Sequence, residues 1–200
     1  YPLRRQRQMC IRDSFLSENI TDVADNCFIP LTVGGGIGKL DAAKDLIENG
    51  SDKISINTSI FTNPDVLTEI ANIYGSQAIV ASLDVRKIDD KHICFSKSGN
   101  ENTKKNIIDI CKKVESLGAG EILLTSIDKD GTLDGYDYRV LETVSNLVNI
   151  PVIAAGGAGK PEHMLKAITE CGVSAVAGAS IFHFTETTPN DIKEYLSKNN

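Results

Sequence analysis

An internal repeat constrains the fold of this chain more than any other feature of its sequence. Residues 29–61 read IPLTVGGGIGKLDAAKDLIENGSDKISINTSIF, and residues 150–182 read IPVIAAGGAGKPEHMLKAITECGVSAVAGASIF. Ile-Pro, Gly-Gly-x-Gly-Lys and Ser-Ile-Phe recur at matching places, with an offset of 121 residues at both ends. Chance hardly gives three such matches in register, so we infer two copies of one structural unit. Each copy has the order strand, glycine turn, helix, strand and polar turn.

Short apolar runs alternate with helical patterns along the whole chain. The runs have the nearly continuous apolar content of parallel strands that are covered on both faces. In the clearest helix, Asn63 can act as the cap and Pro64 takes the first helical position. This alternation predicts an α/β fold with a parallel sheet. The predicted strands span residues 29–33, 53–57, 79–84, 121–126, 151–155 and 174–178. The predicted helices include residues 17–26, 63–74 and about 105–117, and a small hairpin arm is predicted at residues 92–97.

The repeat also predicts how many strands the complete fold has. Two strands precede the second copy, whereas only about one helix precedes the first copy. Six strands and two missing ones give eight, which is the number in a closed (β/α)₈ TIM barrel. We therefore expect residues 15–200 to form one incomplete barrel domain with about six of the eight units, strands three to eight. An open doubly wound sheet is the structural alternative, but it does not predict two similar halves.

Composition and charge exclude several classes of protein. The formal net charge of −6 argues against a nucleic-acid-binding protein, and no apolar run approaches the roughly 20 residues of a membrane span. The five cysteines are scattered without a C-x-x-C pair, which indicates free thiols in a reducing cytoplasm. No Cys or His spacing suggests a metal site, and we expect no cofactor.

The first 14 residues, YPLRRQRQMCIRDS, do not match the acidic remainder of the chain. They are basic and have no apolar period, and they resemble translated sequencing-adapter read-through. A basic targeting arm is the alternative. We therefore treat residues 1–14 as a non-native or disordered extension and exclude them from the fold.

Two glycine turns are the first candidates for a functional site, because a barrel carries its active site at the carboxyl ends of its strands. Without a Cβ, the turns at residues 34–36 and 156–157 can approach an anion closely, and each precedes the start of a helix. A hydroxyl-bearing turn follows each of them one unit later, at Thr58 and at Ser180. Two facing phosphate sites suit a substrate with a phosphate at each end. Tight turns that bind nothing are the alternative.

Three carboxylates at the predicted strand ends are candidates for acid–base chemistry. Asp84 closes a buried strand and can serve as a general acid or base. Its structural alternatives are a helix cap or an ion pair with Arg86 or Lys87. Asp128 and Asp130 follow the next strand, where simple turn formation is the alternative. We interpret the three histidines as surface or packing residues, and no Ser, Cys and His arrangement indicates a catalytic triad.

At these motifs the chain resembles the cyclase subunit of imidazole glycerol phosphate synthase, from about residue 15 to its end. The resemblance implies a cytoplasmic lyase of histidine biosynthesis that forms a heterodimer with a glutaminase subunit. Ammonia from that partner attacks a phosphoribulosyl-formimino-aminoimidazole carboxamide ribonucleotide, which carries two phosphates. Ring closure and cleavage give imidazole glycerol phosphate and aminoimidazole carboxamide ribonucleotide. The matching segments are PLTVGGGI (30–37), DKISINT (52–58), GSQAIVASLD (75–84), SGNENT (98–103), GAGEILLTSIDKDGTLDGYD (118–137), IPVIAAGGAG (150–159) and ASIFHF (179–184).

The resemblance also implies a role for particular residues of this chain. Asp84 matches the family's second catalytic aspartate, and Asp130 matches an auxiliary active-site carboxylate. The residues implied for one phosphate are Gly36, Asn57 and Thr58, and those for the other are Gly131, Gly157, Ala179 and Ser180. Lys53 and Glu121 match charged residues that gate the entry of ammonia, and Asp52 matches a position that faces the glutaminase.

The chain departs from the family pattern in two respects. The first catalytic aspartate and a flexible lysine-bearing loop belong to the part expected to be missing. Ala155 stands where family members commonly have Ser, which leans toward a paralogous branch that converts acetamido to acetamidino groups on surface sugars. A third alternative is an inactive fragment, because six strands cannot close a barrel and leave edges and apolar surface exposed. We accordingly expect the 200-residue chain as written to be poorly soluble and inactive.

Overall fold

A computed structural model of the chain describes residues 16–26 and 28–199, in which strands and helices alternate as predicted. The predicted extension at residues 1–14 lies outside the described residues. The strands are β1 (Thr32–Gly34), β2 (Lys53–Ile56), β3 (Ile79–Ile88), β4 (Lys91–Ser96), β5 (Glu101–Asn106), β6 (Glu121–Ser126), β7 (Val152–Ala155) and β8 (Ala175–Val176). The helices are α1 (Leu16–Asn26), α2 (Leu40–Glu48), α3 (Ser59–Thr62), α4 (Asp65–Tyr74), α5 (Ile107–Ser116), α6 (Tyr138–Ser145), α7 (Pro161–Cys171), α8 (Ser180–Phe184) and α9 (Pro189–Asn199).

Six of the strands form one parallel sheet in the order β1-β2-β3-β6-β7-β8. Strands β4 and β5 form an antiparallel hairpin on the extension of β3. Apart from this hairpin, neighbours in the sheet are neighbours in the chain. A doubly wound sheet reverses its strand order at a switch point, whereas a (β/α)₈ barrel does not. The strand order therefore excludes the doubly wound alternative and confirms a partial (β/α)₈ barrel.

The two faces of the sheet have different environments. Along β3, Leu83 and Val85 are fully buried, whereas Ser82, Asp84 and Arg86 alternate with them and are partly exposed. The same alternation runs along β2, β6 and β7. Since successive side chains point to opposite faces, the buried set faces the helices and the other set lies on the concave inner face. Polar residues of the inner face are therefore available to a ligand.

Helix α4 shows how the apolar pattern builds the core. Val66 and Leu67 each lie about one helical turn from Ile70, and all three are completely buried. Each such aliphatic side chain contributes roughly 1.5–3 kcal/mol by leaving water. Gly75 ends the helix with φ +81. The predicted start of this helix was wrong, because Pro64 is its cap position and a separate short helix, α3, precedes it.

Other predicted boundaries were also wrong, because the strands predicted at residues 29–33 and 174–178 are Thr32–Gly34 and Ala175–Val176. The bounds of β3 and α5 differ for one shared reason, which is pairing with β4. Strand β3 continues past Asp84 to Ile88, because its second half pairs with β4 in the hairpin. Helix α5 begins at Ile107, because the preceding residues pair with β4 as strand β5. The Asn106 side chain caps α5 by accepting a hydrogen bond from the Ile108 N–H at 3.0 Å. Tertiary strand pairing, which the local pattern does not contain, sets both boundaries.

The described sheet ends at β1 on one side and at β8 on the other. Beside β1, Phe28 is 97% exposed and Ile29 is 72% exposed. No helix among the described residues is long and apolar enough to cross a membrane. Cys94, Cys111 and Cys171 are free and buried, as predicted; Cys10 and Cys27 lie outside the described residues.

Candidate active site

The predicted functional residues lie on two opposite rims of the sheet. Gly36 follows the carboxyl end of β1 and Gly157 follows the carboxyl end of β7, and the two strands are part of one parallel sheet. The two glycine turns therefore share one rim, which we call the mouth. Asp84 pairs in register with Thr125 near the mouth, on the inner face of the sheet. Lys53 and Glu121 are the first residues of β2 and β6 and lie at the opposite rim.

The second glycine turn borders a cavity of about 160 Å³ at the mouth. Backbone from three loops converges there, those that follow β6, β7 and β8. Gly131, which was predicted for the same site, does not line the cavity; it is exposed, with φ +80 and open space around it. The lining residues are Thr125, Asp130, Ala155, Gly156, Gly157, Ala158, Ala177, Gly178, Ala179 and Ser180.

Close backbone contact explains why glycine stands at position 157. Its φ is +107, and a Cβ at this position would lie closer than 3.0 Å to the Gly135 carbonyl oxygen. The Gly135 N–H donates a hydrogen bond of 2.8 Å to the Gly157 carbonyl oxygen. The Tyr136 hydroxyl donates to the Ala177 carbonyl oxygen at 2.8 Å, and burial raises the pKa of this tyrosine. The loop after β6 is thereby held against the glycine turn.

The first glycine turn has a more open environment. Gly36 lines a cavity of about 430 Å³ with α2 residues that include Asp41 and Asp45, and neither Asn57 nor Thr58 lines it. The turn is nevertheless attached to the start of α3, because the Ser59 hydroxyl donates to the Ile37 carbonyl oxygen. The structure thus brings the residues predicted for the first phosphate to neighbouring positions but not into one cavity.

Asn57 and Thr58 are both engaged in hydrogen bonds at the mouth. The Asn57 amide nitrogen donates to the Ser82 carbonyl oxygen at 3.0 Å, and the Asn57 Oδ1 atom is buried without a hydrogen-bond partner in the described structure. The Thr58 hydroxyl oxygen accepts the Lys97 N–H at 3.2 Å, which leaves the hydroxyl proton free to donate. The hairpin formed by β4 and β5 therefore reaches the mouth beside Thr58.

Asp84 pairs in register with Phe95 of β4, the residue after the buried thiol of Cys94. Burial raises the pKa of Cys94, and the charges of Cys111 and Asp84 raise it further. Burial likewise raises the pKa of Cys111 to about 12. The Arg86 guanidinium, one of the ion-pair partners considered for Asp84, lies 3.2 Å from a carboxylate oxygen of Asp128. An aspartate on a half-buried inner face fits general acid or base chemistry.

The opposite rim carries a charged pair. Lys53 and Glu121 form an ion pair across the inner face, with side chains 29% and 22% exposed. Asp52 is exposed, and its carboxylate accepts the Leu31 N–H at 2.7 Å. The gating and partner-facing roles implied for these three residues stay predictions.

The sequence did not indicate one pair of side chains near the mouth. His92 in β4 lies 2.8 Å from the Asp137 carboxylate, and this hydrogen bond lowers the pKa of Asp137. Asp137 also caps α6 by accepting the Val140 N–H at 3.4 Å. The two residues are far apart in the chain, and no local pattern connects a hairpin histidine to a helix cap. In the part of the chain that the structure describes, no group of three or more His, Cys, Asp or Glu side chains could hold a metal ion.

Comparisons with known proteins show which family the chain resembles. Residues 13–188 match the family described as histidine biosynthesis protein. The chain is similar to the imidazole glycerol phosphate synthase subunit HisF of Chlorobium phaeobacteroides strain BS1, with 47% identity over 90% of this chain and 71% of that protein. It is 48% identical to the subunit of that name from Hydrogenobaculum sp. strain Y04AAS1, over 89% of this chain and 71% of that protein. For the subunit from Thermotoga sp. strain RQ2, the identity is 47% over 90% of this chain and 71% of that protein.

Proposed function

The chain belongs to the histidine biosynthesis protein family, and from that premise we propose that it forms the phosphate-binding mouth of a cyclase-lyase, the cyclase subunit of imidazole glycerol phosphate synthase. One observation carries the proposal beyond family membership. A single cavity at the mouth is lined by Asp130, Gly157 and Ser180, and the strand next to it carries Asp84 on the inner face. A carboxylate beside a backbone anion site suits acid–base chemistry on a phosphorylated substrate.

In the proposed reaction, ammonia attacks the ribulosyl ketone of a phosphoribulosyl-formimino-aminoimidazole carboxamide ribonucleotide. The ketone oxygen leaves as water, and closure of the imidazole ring and cleavage release imidazole glycerol phosphate and aminoimidazole carboxamide ribonucleotide. The two phosphates would be held at opposite sides of the mouth, one at Gly36, Asn57 and Thr58, and the other at Gly157, Ala179 and Ser180. Fixing both ends of the substrate orients the reacting carbon atoms between them, which lowers the entropic part of the barrier. Asp84 would transfer protons at that centre.

We further propose that a glutaminase subunit binds at the rim opposite to the mouth and supplies the ammonia. The relatives are each named as one subunit of a synthase, which supports a partner protein. The ion pair between Lys53 and Glu121 lies on the inner face at that rim, where ammonia would enter. The free, buried thiols of Cys94 and Cys111 support a reducing cytoplasm as the site of the reaction.

The activity is proposed for a protein with a closed barrel, which we call the parent protein. The chain covers 71% of the relatives, and the described sheet has only one neighbour for β1 and one for β8. Two further strands would join these ends and complete the eight. A first catalytic aspartate is expected in the part of the parent protein that this chain lacks.

The proposal is tested by turnover of the parent protein with added ammonium. We expect the wild-type protein to form imidazole glycerol phosphate, and Asp84→Asn to abolish turnover while calorimetry still detects substrate binding. Asp89→Asn is a matched control, because Asp89 is an exposed residue with φ +46 that asparagine tolerates. If Asp84→Asn retained turnover close to that of the control, Asp84 would lose its proposed role. An inactive wild-type parent protein would refute the function itself.

The sugar-modifying paralog is a second candidate because of Ala155. This residue lines the mouth cavity, and family members commonly have serine at its position. The compared relatives carry the histidine-pathway name and favour the first candidate. Turnover measured with the two substrates in competition separates the candidates.

A further inference from the structure

We propose that Asp128 is a positioning residue that holds the loop after β6, residues 127–137, at the end of β3. The inference rests on the proposed function, because this loop carries Asp130 and β3 carries Asp84. From the sequence, Asp128 was a candidate for acid–base chemistry, with turn formation as the alternative. The structure gives it contacts that join the two candidate acid–base elements of the mouth.

Both carboxylate oxygens of Asp128 bind groups on β3. Oδ1 lies 3.2 Å from Arg86 Nε, and Oδ2 accepts the Lys87 N–H at 2.9 Å. Asp128 therefore binds two successive residues of β3, which lie two and three positions beyond Asp84. A hydrogen bond to a charged group is stronger than a neutral one, and a carboxylate that binds two donors has a defined orientation.

Arg86 is itself held in place by the hairpin. Its guanidinium lies 5.1 Å from the centre of the Phe95 ring, and Phe95 is buried in β4. This contact helps to fix the position in which the guanidinium meets Asp128. A series of contacts thus runs from the packed hairpin through Arg86 to Asp128 and the loop.

The loop has few other attachments at its first end. The Ile127 N–H donates to the Val85 carbonyl oxygen at 2.8 Å, and the Asp130 N–H donates to the Ser126 carbonyl oxygen at 2.9 Å. Only the first of these bonds reaches another strand. Among the described residues, the loop's remaining hydrogen bonds to other segments are at its far end, at Gly135, Tyr136 and Asp137. Asp128 is therefore the side chain whose hydrogen bonds join the first part of the loop, which carries Asp130, to β3.

Asp128 does not line the cavity, whereas Asp130 does. Any effect of Asp128 on turnover must therefore act through the residues that the loop positions. Displacement of a reacting group by about 1 Å can reduce a rate by roughly a hundredfold. Because the ion pair is about 43% exposed, solvent screens it, and we expect a smaller loss of about tenfold in kcat/KM for Asp128→Ala.

A double-mutant cycle in the parent protein tests the proposal. We expect Asp128→Ala to lower kcat/KM about tenfold in the wild type but less than twofold when Asp130 is already alanine, because the positioned group is then absent. Arg86→Met should reproduce part of the loss. Asp90→Asn is the control and should leave kcat/KM unchanged, since Asp90 pairs with the Lys87 side chain at 2.9 Å in the same hairpin and is 82% exposed.

Amide hydrogen exchange gives a measurement that does not depend on turnover. In Asp128→Ala the Lys87 amide loses its acceptor and should exchange faster, whereas in Asp128→Asn the amide oxygen can still accept this hydrogen bond. An equal loss of kcat/KM with and without Asp130, or an unchanged Lys87 exchange rate in Asp128→Ala, would overturn the inference. An inactive wild-type protein would instead refute the proposed function, and the exchange data would still decide whether Asp128 anchors the loop.

Discussion

Gly157→Ala is the substitution whose cost can be worked out most fully from the structure. The new Cβ would lie closer than 3.0 Å to the Gly135 carbonyl oxygen and 2.9 Å from its carbonyl carbon. Both residues are buried, and the peptide at Gly135 also donates the 2.8 Å hydrogen bond to Gly157. The loop after β6 must therefore move away from the glycine turn, and this hydrogen bond must lengthen or break.

Two contributions determine how much free energy of unfolding Gly157→Ala loses. A non-glycine residue with a backbone conformation like φ +107 costs of order 1–3 kcal/mol. A buried N–H left without an acceptor at Gly135 costs about 1–3 kcal/mol more. We expect the free energy of unfolding to fall by about 3–5 kcal/mol, which lowers the melting temperature of a protein of this size by roughly 6–20 °C.

Urea unfolding of the parent protein, followed by far-ultraviolet circular dichroism, measures this loss. Gly172→Ala is the matched control, because Gly172 has φ +68 but no atom within 4 Å of the added Cβ. Only the backbone term then acts, and we expect a loss of about 1–2 kcal/mol. If the two variants lost the same stability, close approach of the loop would not be the reason for glycine at position 157.

Two further predictions concern charged pairs. Glu121→Gln should change the free energy of unfolding by less than about 1 kcal/mol, because the pair with Lys53 is partly exposed. With the proposed glutaminase partner, glutamine-driven turnover should fall while ammonium-driven turnover persists. An equal fall of both rates would contradict the proposed gating role. His92→Phe should lower the urea midpoint at neutral pH, because the hydrogen bond from His92 lowers the pKa of Asp137 in the folded protein. The stability that this hydrogen bond contributes is present above the unfolded aspartate pKa of about 3.9. It is lost as the pH falls through the lower pKa that Asp137 has in the folded protein. A difference between wild type and His92→Phe that stays constant from pH 6 to pH 2 would contradict this linkage.

The sheet could be predicted from the sequence because its strands have a local signature. All six predicted parallel strands are present in the described structure, and β6 has its predicted bounds, Glu121–Ser126. The continuous apolar content that predicted them follows from burial on both faces, and the internal repeat then supplied the order and number of units. The hairpin was only partly predicted, because β5 reads ENTKKN and its polar residues follow no apolar alternation.

The candidate site was predictable to a lesser degree. Asp130, Gly157 and Ser180 come together in one cavity, as expected for residues at the carboxyl ends of neighbouring parallel strands. Thr125 also lines the cavity and was not singled out, although its alternation with buried Leu124 and Ser126 places it on the inner face. The contacts of Asp128 and His92 join segments that are far apart in the chain, so no spacing rule could indicate them.

The two glycine turns have similar sequences but different environments. Both turns contain glycines with positive φ after a parallel strand, yet only the turn after β7 is covered. Strand β7 has neighbours on both sides, and the loops after β6 and β8 close over its turn. Strand β1 has β2 as its only neighbour in the described sheet, so the cavity at Gly36 is lined by α2 on one side and stays open. The local sequence determines the conformation of each turn, whereas the flanking strands determine whether that turn becomes a closed binding site.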